Sequence, residues 1–124
     1  MAQTDARLLP GETLEDLGNG YWIIQHPEVF AFGTDAVLLA HFAQTAGAER
    51  AADLGTGTGI LPLLMCAHNP QLTITGIEIQ PCPAQMAQRS VELNGLEGRV
   101  NIVCGDLKEA PHLVGRGLDV VVSN

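Results

Sequence analysis

Polar side chains end several apolar, strand-like runs in the second half of the sequence. Asp53, Glu78 and Asp106 supply carboxylates and Asn124 supplies an amide, each at or just after such a run. In an open sheet of parallel strands, ligands bind in the crevice outside the carboxyl ends of the strands. Carboxylate and amide oxygens accept hydrogen bonds from hydroxyl and amino groups. These four residues therefore predict one binding site for a small polar ligand.

A glycine-rich turn, DLGTGTG, covers residues 53–59. Gly55 and Gly57 permit backbone dihedrals closed to other residues and remove side chains where a ligand must lie against the backbone. The dinucleotide fingerprint G-x-G-x-x-G requires a third glycine where this chain has Ile60. Asp53, two residues before the first of these glycines, would also repel a pyrophosphate. The turn disfavours a nicotinamide-dependent oxidoreductase and favours a cationic ligand.

The two later carboxylates suit the two halves of an adenosine. Glu78 ends the second strand-like run, where a carboxylate can accept both hydroxyls of a ribose. Asp106 follows the third run, where it can accept a hydrogen bond from an adenine amino group. An adenosine that carries a positive charge would satisfy both carboxylates, and S-adenosylmethionine is such a molecule.

Each of these acids also has a purely structural explanation. Glu78 lies just before the helix that Pro81 opens and would stabilise its N-terminus by about 0.3–1 kcal/mol. Asp106 and Glu109 fit a D-x-x-E capping box. Asp35 lies in the positive first turn of a predicted helix, as an ordinary N-terminal acid would. A capping residue can still face a ligand, so both roles stay open.

The elements that must hold these residues alternate between strands and helices. Ahead of them, residues 12–26 predict two strands around the turn Gly18-Asn19-Gly20, and a helix is predicted from an N-cap at Thr34 to a stop at Gly47. Strands that alternate with helices favour a parallel sheet in an open α/β fold. From Arg50 onward the alternating segments are RAADL, ILPLLMCAHN, QLTITGIEI, a helix from Pro81 to Asn94-Gly95, RVNIVC, DLKEAPHLV and the apolar strand LDVVV. So apolar a strand is expected to be buried on both faces.

Composition narrows the function classes. The 124 residues include 14 acidic and 6 basic side chains, for a net charge of −8, and the scattered basic residues form no electrostatic footprint for nucleic acid. Cys66, Cys82 and Cys104 contain no CxxC pair and predict reduced, mostly buried thiols of an intracellular, cytoplasmic protein. No metal-ligand spacing is found, and the apolar runs are too short to span a membrane.

The motifs together resemble class I S-adenosylmethionine-dependent methyltransferases. ADLGTGTG resembles their first motif, GIEI the acidic end of their second strand, CGDL their adenine-side acid, and VVSN the start of their fourth motif, which reads Asn-Pro-Pro-Tyr in amino-group methyltransferases. The stretches FGTDAVLLA and EIQP, together with LNGLEGRV, narrow the resemblance to bacterial tRNA adenine-N6 methyltransferases. Those enzymes modify an adenine beside the anticodon of a valine tRNA. The match runs from about residue 13 to the end of the chain.

This resemblance implies a Rossmann-like open parallel sheet that is incomplete, with its first four core strands after an N-terminal hairpin and helix. Residues 1–46 would form that extension, and residues 47–124 the N-terminal half of an S-adenosylmethionine-binding domain, one truncated domain overall. The chain would stop directly after the asparagine of Asn-Pro-Pro-Tyr. We therefore expect the 124-residue chain to be catalytically inert and to expose an edge of its fourth strand that invites self-association.

The resemblance also implies a role for each candidate residue. Asn124 would be catalytic, because its side-chain carbonyl would accept an N–H of the target amine and help direct the nitrogen lone pair toward the methyl group. Glu78 would hold the ribose, Asp106 the adenine, and Asp53 with the glycine turn the methionine end and sulfonium. The full cofactor-binding set is Asp53, Gly55, Thr56, Gly57, Gly59, Glu78, Asp106 and Asp35.

The implied reaction is methyl transfer from S-adenosylmethionine to adenine N6 in tRNA, in the cytoplasm and without a membrane partner. The same fourth motif serves protein glutamine N-methylation and DNA adenine methylation, so the acceptor stays open. The acidic balance of the chain fits a protein substrate better than RNA. A non-catalytic nucleotide-binding module is a further alternative.

Overall fold

A computed structural model of the chain describes residues 8–29, 33–43, 48–115 and 117–123. Two expectations, the helix stop at Gly47 and the catalytic amide of Asn124, lie outside the described residues. The elements are β1 (Thr13–Asp16), β2 (Trp22–Gln25), α1 (Thr34–Phe42), β3 (Arg50–Leu54), α2 (Ile60–His68), β4 (Thr73–Glu78), α3 (Pro81–Leu93), β5 (Val100–Cys104), a 3₁₀ turn (Leu107–Glu109), α4 (Ala110–Val114) and β6 (Val120–Ser123).

Four of the strands form a parallel sheet in the order β5-β4-β3-β6. This confirms the predicted α/β fold with an open parallel sheet. The strands β4 and β6 pair with opposite edges of β3, so the strand order reverses at β3. A reversal of this kind opens a crevice outside the carboxyl ends of the strands, which is where open α/β sheets bind their ligands.

The predicted N-terminal hairpin is confirmed, with β1 and β2 paired antiparallel. Gly18 and Gly20 both adopt positive φ angles, 76° and 93°, which glycine reaches without steric cost. The Asp16 carboxylate accepts from the Gly18 N–H at 2.8 Å, and the Asn19 side chain accepts from the Tyr21 N–H at 2.9 Å. The short polar side chains thus close the turn between the two strands.

Ser90 of α3 and Asn94, the C-cap residue of that helix, bind the outer edge of β2 as a neighbouring strand would. The Asn94 amide accepts from the Trp22 N–H at 2.9 Å and donates to the Trp22 carbonyl at 2.7 Å. The Ser90 hydroxyl accepts from the Ile24 N–H at 3.0 Å. Because these backbone groups are partly or fully buried, each needs a partner. The hairpin is therefore fixed against α3.

The helix α2 is almost wholly buried, because its residues Ile60–Cys66 are apolar and pack between α1 and the sheet. Apolar burial of this extent holds the N-terminus of α2 in a fixed position relative to β3 and β4. The glycine-rich turn, which joins β3 to α2, is therefore held at both of its ends. No helix within the described ranges has the length and apolarity needed to cross a membrane.

Three expectations about local structure are wrong. The N-cap of α1 is Gly33, in an extended conformation, and Thr34 is the first helical residue. The last strand begins at Val120 instead of at residue 118, because the Asp119 carboxylate accepts from the backbone N–H groups of Glu49 and Arg50 and ends the ladder there. That strand is also not buried on both faces, since the Val121 side chain is 54% exposed.

The expectation of mostly buried thiols is also wrong. All three cysteines are free, but only Cys66, in the core face of α2, is buried. Cys82 lies in the first turn of α3 and Cys104 at the carboxyl end of β5, and both are exposed. Both exposed thiols lie near the carboxyl edge of the sheet, where the packing opens to solvent.

Candidate functional site

The glycine-rich turn is tied to β4 by its backbone. The N–H groups of Gly55 and Thr56 both donate to the Ile77 carbonyl, at 2.8 and 2.9 Å. The Gly57 N–H donates to Glu78 Oε1 at 2.8 Å. Gly55 and Gly57 have φ angles of 78° and 59°, which only glycine adopts readily. The turn therefore has one defined path across the carboxyl end of β4.

Glu78 ends β4, as predicted, and its half-buried carboxylate is held from two sides. Oε1 accepts from Gly57, and Oε2 accepts from the N–H of Gln80, the N-cap residue of α3, at 3.1 Å. Each carboxylate oxygen can accept a further hydrogen bond. Glu78 is thus fixed by the start of α3 and by the glycine turn, and it retains acceptor capacity for a ligand.

Asp53 lies within β3, and its carboxyl group is buried beneath the turn at 1% exposure. Thr56 Oγ1 donates to Asp53 Oδ2 at 2.7 Å, while Asp53 Oδ1 is buried with no hydrogen-bond partner among the described residues. Burial raises the pKa of Asp53 to about 6; the Thr56 bond opposes that rise and the Glu78 charge adds to it. The structure therefore puts this acid under the turn, not on the surface of the crevice.

Asp106 follows β5, and its backbone neighbour Gly105 donates an N–H to the Glu78 carbonyl at 3.0 Å, which brings the two acidic segments together. The Asp106 carboxylate accepts from the Lys108 N–H at 2.9 Å and so caps the 3₁₀ turn. The capping half of the sequence prediction is confirmed. In a capping box the Glu109 side chain would also accept from the Asp106 N–H. Among the described residues, the bond between the two is instead from the Glu109 backbone N–H to the Asp106 carbonyl.

Gly59 and Asp35 lie farther from this cluster. Gly59 is the N-cap of α2 with a φ of 94°, and a Cβ added there would lie 3.2 Å from the Ala87 Cβ. Its lack of a side chain thus lets α2 and α3 approach each other. Asp35 is exposed in the first turn of α1, and no hydrogen bond among the described residues joins it to the turn. Direct ligand contact by either residue stays a prediction.

A cavity of about 730 Å³ opens beside the turn and Glu78. It is bounded on one side by the turn and β4, on another by the N-terminal turns of α3, and on a third by the hairpin and the residues after it. The lining residues are Gly57, Thr58, Glu78 and Gln80, then Cys82, Pro83 and Met86, and then Glu12, His26, Glu28 and Val29.

The hairpin wall of this cavity was not predicted from the sequence. Glu12 is held there by Arg89, whose guanidinium binds its carboxylate through two hydrogen bonds of 2.6 and 2.5 Å, and the Arg89 bonds lower the pKa of Glu12. The two residues are 77 positions apart, so no local pattern could connect them. For the α3 wall, by contrast, a local signal exists, because Cys82 and Met86 are four residues apart and share one helix face.

Three carboxylates, those of Glu12, Glu28 and Glu78, line the cavity, and the Arg89 guanidinium binds one of them. A cleft lined by one sign of charge concentrates ligands of the opposite sign. The cavity therefore suits a ligand that carries positive charge and hydroxyl groups, with apolar contact available from Val29, Pro83 and Met86.

Comparison with known proteins gives this site a context. The family model described as methyltransferase small domain matches residues 20–124. A tRNA1(Val) (adenine(37)-N6)-methyltransferase from a Flavobacteriaceae bacterium (strain 3519-10) is 32% identical over 104 residues, which are 84% of this chain and 44% of that protein.

Solved structures share the fold. An S-adenosylmethionine-dependent methyltransferase from Agrobacterium tumefaciens superposes with a TM-score of 0.70 at 19% identity, over 94% of this chain and 40% of the other. The cofactor-bound protein Rv0187 from MTB superposes with a TM-score of 0.63 at 26% identity, over 78% of this chain and 45% of the other. The chain thus spans less than half the length of each of these proteins.

Proposed function

The chain belongs to the methyltransferase small domain family, and from that premise we propose that it binds S-adenosylmethionine and serves methyl transfer to an exocyclic amine, adenine N6 of a tRNA. The observation that carries the proposal is the Glu78 carboxylate. It is fixed by Gly57 and Gln80 at the end of β4 and opens onto a cavity of about 730 Å³.

The residues present fit this cofactor. Apart from the adjoining residues, no described atom lies within 4 Å of the Cβ that a side chain would add at Gly55 or Gly57, so a ligand can lie directly on the turn. The acidic lining complements a cation, and the acid Asp53 lies beneath the turn. A dinucleotide pyrophosphate would meet the same carboxylates with unfavourable charge.

The chain's own groups have separate tasks in this proposal. Glu78 accepts the ribose hydroxyls, and Asp106 accepts from the adenine amino group while it continues to cap the 3₁₀ turn. The turn holds the methionine end, and Asp53 beneath it contributes negative charge. When bound, S-adenosylmethionine supplies an electrophilic methyl group on a sulfonium. Most of the catalysis then comes from positioning and electrostatics instead of a strong base.

The acceptor is proposed from the relative whose name specifies adenine 37 of a valine tRNA. Asn124 is the proposed catalytic residue, which accepts an N–H of the target amine. A tRNA acceptor would place the reaction in the cytoplasm. The net charge of −8 favours a second candidate, glutamine in a protein, because an acidic surface repels RNA. We also propose that residues 1–46 form an extension to a cofactor-binding unit of residues 47–124.

Calorimetric titration with S-adenosylhomocysteine tests cofactor binding. We expect wild-type chain to bind it and Glu78→Gln to weaken binding by about tenfold to a hundredfold, because hydrogen bonds to a charged group are lost. Glu97→Gln removes the same charge from an exposed residue that does not line the cavity, and it should bind as wild type does. Binding of NADH instead, or equal effects of the two variants, would contradict the proposal.

A second experiment identifies the acceptor. Because the 124-residue chain alone is expected to be inert, the assay uses a longer chain in which residues 1–124 are followed by the C-terminal half of a methyltransferase domain. This longer chain is incubated with methyl-labelled S-adenosylmethionine and, separately, with unmodified valine tRNA, with adenine-containing DNA and with a glutamine-bearing protein. Label in a tRNA adenine, mapped by mass spectrometry, is the expected result. Label in the protein acceptor would replace the first candidate with the second.

A further inference from the structure

The side chain of Thr56 is enclosed between two neighbouring strands. Its hydroxyl donates to Asp53 on β3, at 2.7 Å, and the Thr56 side chain is 3% exposed. Gly76 on β4 pairs in register with Asp53. A Cβ added at Gly76 would lie 2.7 Å from Thr56 Oγ1, 2.9 Å from its Cβ and 3.0 Å from its Cγ2. Such distances are too short for real contacts, so Thr56 fills the space that the missing side chain of Gly76 leaves.

This contact fixes more than one side chain. Thr56 shares a peptide plane with Gly57, whose N–H donates to Glu78 Oε1 at 2.8 Å. With its own N–H bound to Ile77 and its hydroxyl bound to Asp53, Thr56 has little freedom in φ or χ1. The direction of the Gly57 N–H, and with it the orientation of the Glu78 carboxylate, is set by ψ of Thr56. The side-chain bond to Asp53 restrains that angle together with the bond from the Gly59 N–H to the Thr56 carbonyl, at 3.0 Å.

We propose that Thr56 is a positioning residue for the ligand site: its hydroxyl, bound to Asp53 over Gly76, sets the Thr56–Gly57 peptide so that Gly57 orients the Glu78 carboxylate. The ligand-binding consequence rests on the proposed function, in which Glu78 accepts the ribose hydroxyls. The geometric part concerns the chain alone and holds without any ligand. Gly76 contributes to the same positioning, because the side chain of any larger residue there would displace Thr56.

The geometric part is tested by NMR of the chain without ligand. An amide proton that donates to a carboxylate lies downfield of one that donates to water, so a downfield Gly57 amide signal is its expected response to the Glu78 acceptor. Glu78→Gln must abolish that response, which identifies its source. We expect Thr56→Val, Thr56→Ala and Gly76→Ala to lose most of it and Thr56→Ser, which keeps the hydroxyl, to retain it.

The functional part is tested by titrating the same variants with S-adenosylhomocysteine. Thr56→Val should bind about tenfold more weakly than wild type, because it loses the hydrogen bond to Asp53. Thr56→Ser keeps that bond and should bind within about threefold of wild type. If wild-type chain does not bind, the proposed function fails while the Gly57 signal still decides the role of Thr56. A wild-type Gly57 response in Thr56→Val, or equal losses in Thr56→Ser, would overturn the inference. Failure of Thr56→Val, Thr56→Ala and Gly76→Ala to fold would also overturn it, because the contact would then be a requirement of the fold.

Discussion

The Asp53 carboxyl group titrates in an unusual range because it is buried with one oxygen unpaired. Its pKa rises from 3.8 to about 6, so between those values the folded state binds a proton that the unfolded state has lost. Stability therefore falls as pH increases through this window, by about 3 kcal/mol in total for a shift of this size.

Asp53→Asn tests this pH dependence. The amide cannot titrate, while the Thr56 hydroxyl can still donate to its carbonyl. We expect the stability of wild type relative to Asp53→Asn to decrease by about 2 kcal/mol between pH 4 and pH 7, as measured by urea unfolding. The other acids are present in both proteins, so the comparison isolates Asp53 together with its electrostatic coupling to Glu78. Parallel stability curves would show that the pKa of Asp53 is the same in the folded and unfolded states, which would contradict the prediction.

Single residues of the site could be predicted where the local pattern determines them. Glu78 was placed correctly at the end of β4, because an apolar run followed by an acid and a helix-opening proline leaves little choice. The burial of Asp53 could not be predicted, since it depends on Gly76 in the neighbouring strand and on how Thr56 folds over it. Glu12 was missed for the same reason, as its partner Arg89 is distant in sequence.

At the scale of elements, α3 both forms a wall of the cavity and replaces a strand beside β2. Asn94→Ala removes both hydrogen bonds to Trp22 and leaves partly buried backbone groups without a partner. We expect a loss of about 2 kcal/mol in the free energy of unfolding. Trp22 is the only tryptophan, so its fluorescence reports the detachment of the hairpin directly.

Gln88→Ala is the matched control for that prediction. Gln88 lies on the same helix and bonds to Glu92, four residues on, at 3.2 Å. Pairs of this kind on a helix surface contribute about 0.2–0.5 kcal/mol, so the loss should be small and the fluorescence unchanged. If the two variants lost equal stability, the proposed anchoring of the hairpin by Asn94 would be incorrect.

The order and type of the predicted elements were confirmed, whereas their ends were less accurate. Strands followed by glycine turns and helices carry a strong periodic signal, which is why β3, α2, β4, α3 and β5 were found. The start of β6 was missed because Asp119 uses its side chain, not its backbone, to receive the N–H groups of residues 49 and 50. The periodicity of apolar residues does not show when a side chain takes the place of a backbone carbonyl as the acceptor.

At the scale of the whole molecule, β6 lies at an edge of the described sheet with Val121 exposed. An unpaired strand edge offers backbone N–H and C=O groups to another chain. We expect the 124-residue chain to self-associate at high concentration through this edge, and Val121→Lys to reduce the association, as measured by light scattering.

Val37→Lys serves as the comparison for Val121→Lys. Val37 is exposed on α1 to a similar degree, 46%, and the substitution adds the same charge to a helix without an open strand edge. It should leave association unchanged. A stronger effect of Val37→Lys would show that the chains associate through α1 instead of the sheet edge. A wild type that stays monomeric at high concentration would exclude association through either surface.

The pairing of β6 with β3 also dictates an order of assembly during synthesis on the ribosome. The strands β3, β4 and β5 emerge in sequence, and each can pair with its predecessor as soon as it leaves the exit tunnel. The other edge of β3 waits for Asp119, which binds residues 70 and 69 positions earlier, and such long-range closure is slow. The crevice at which the strand order reverses is therefore the last part of the described four-stranded sheet to form as the nascent chain emerges.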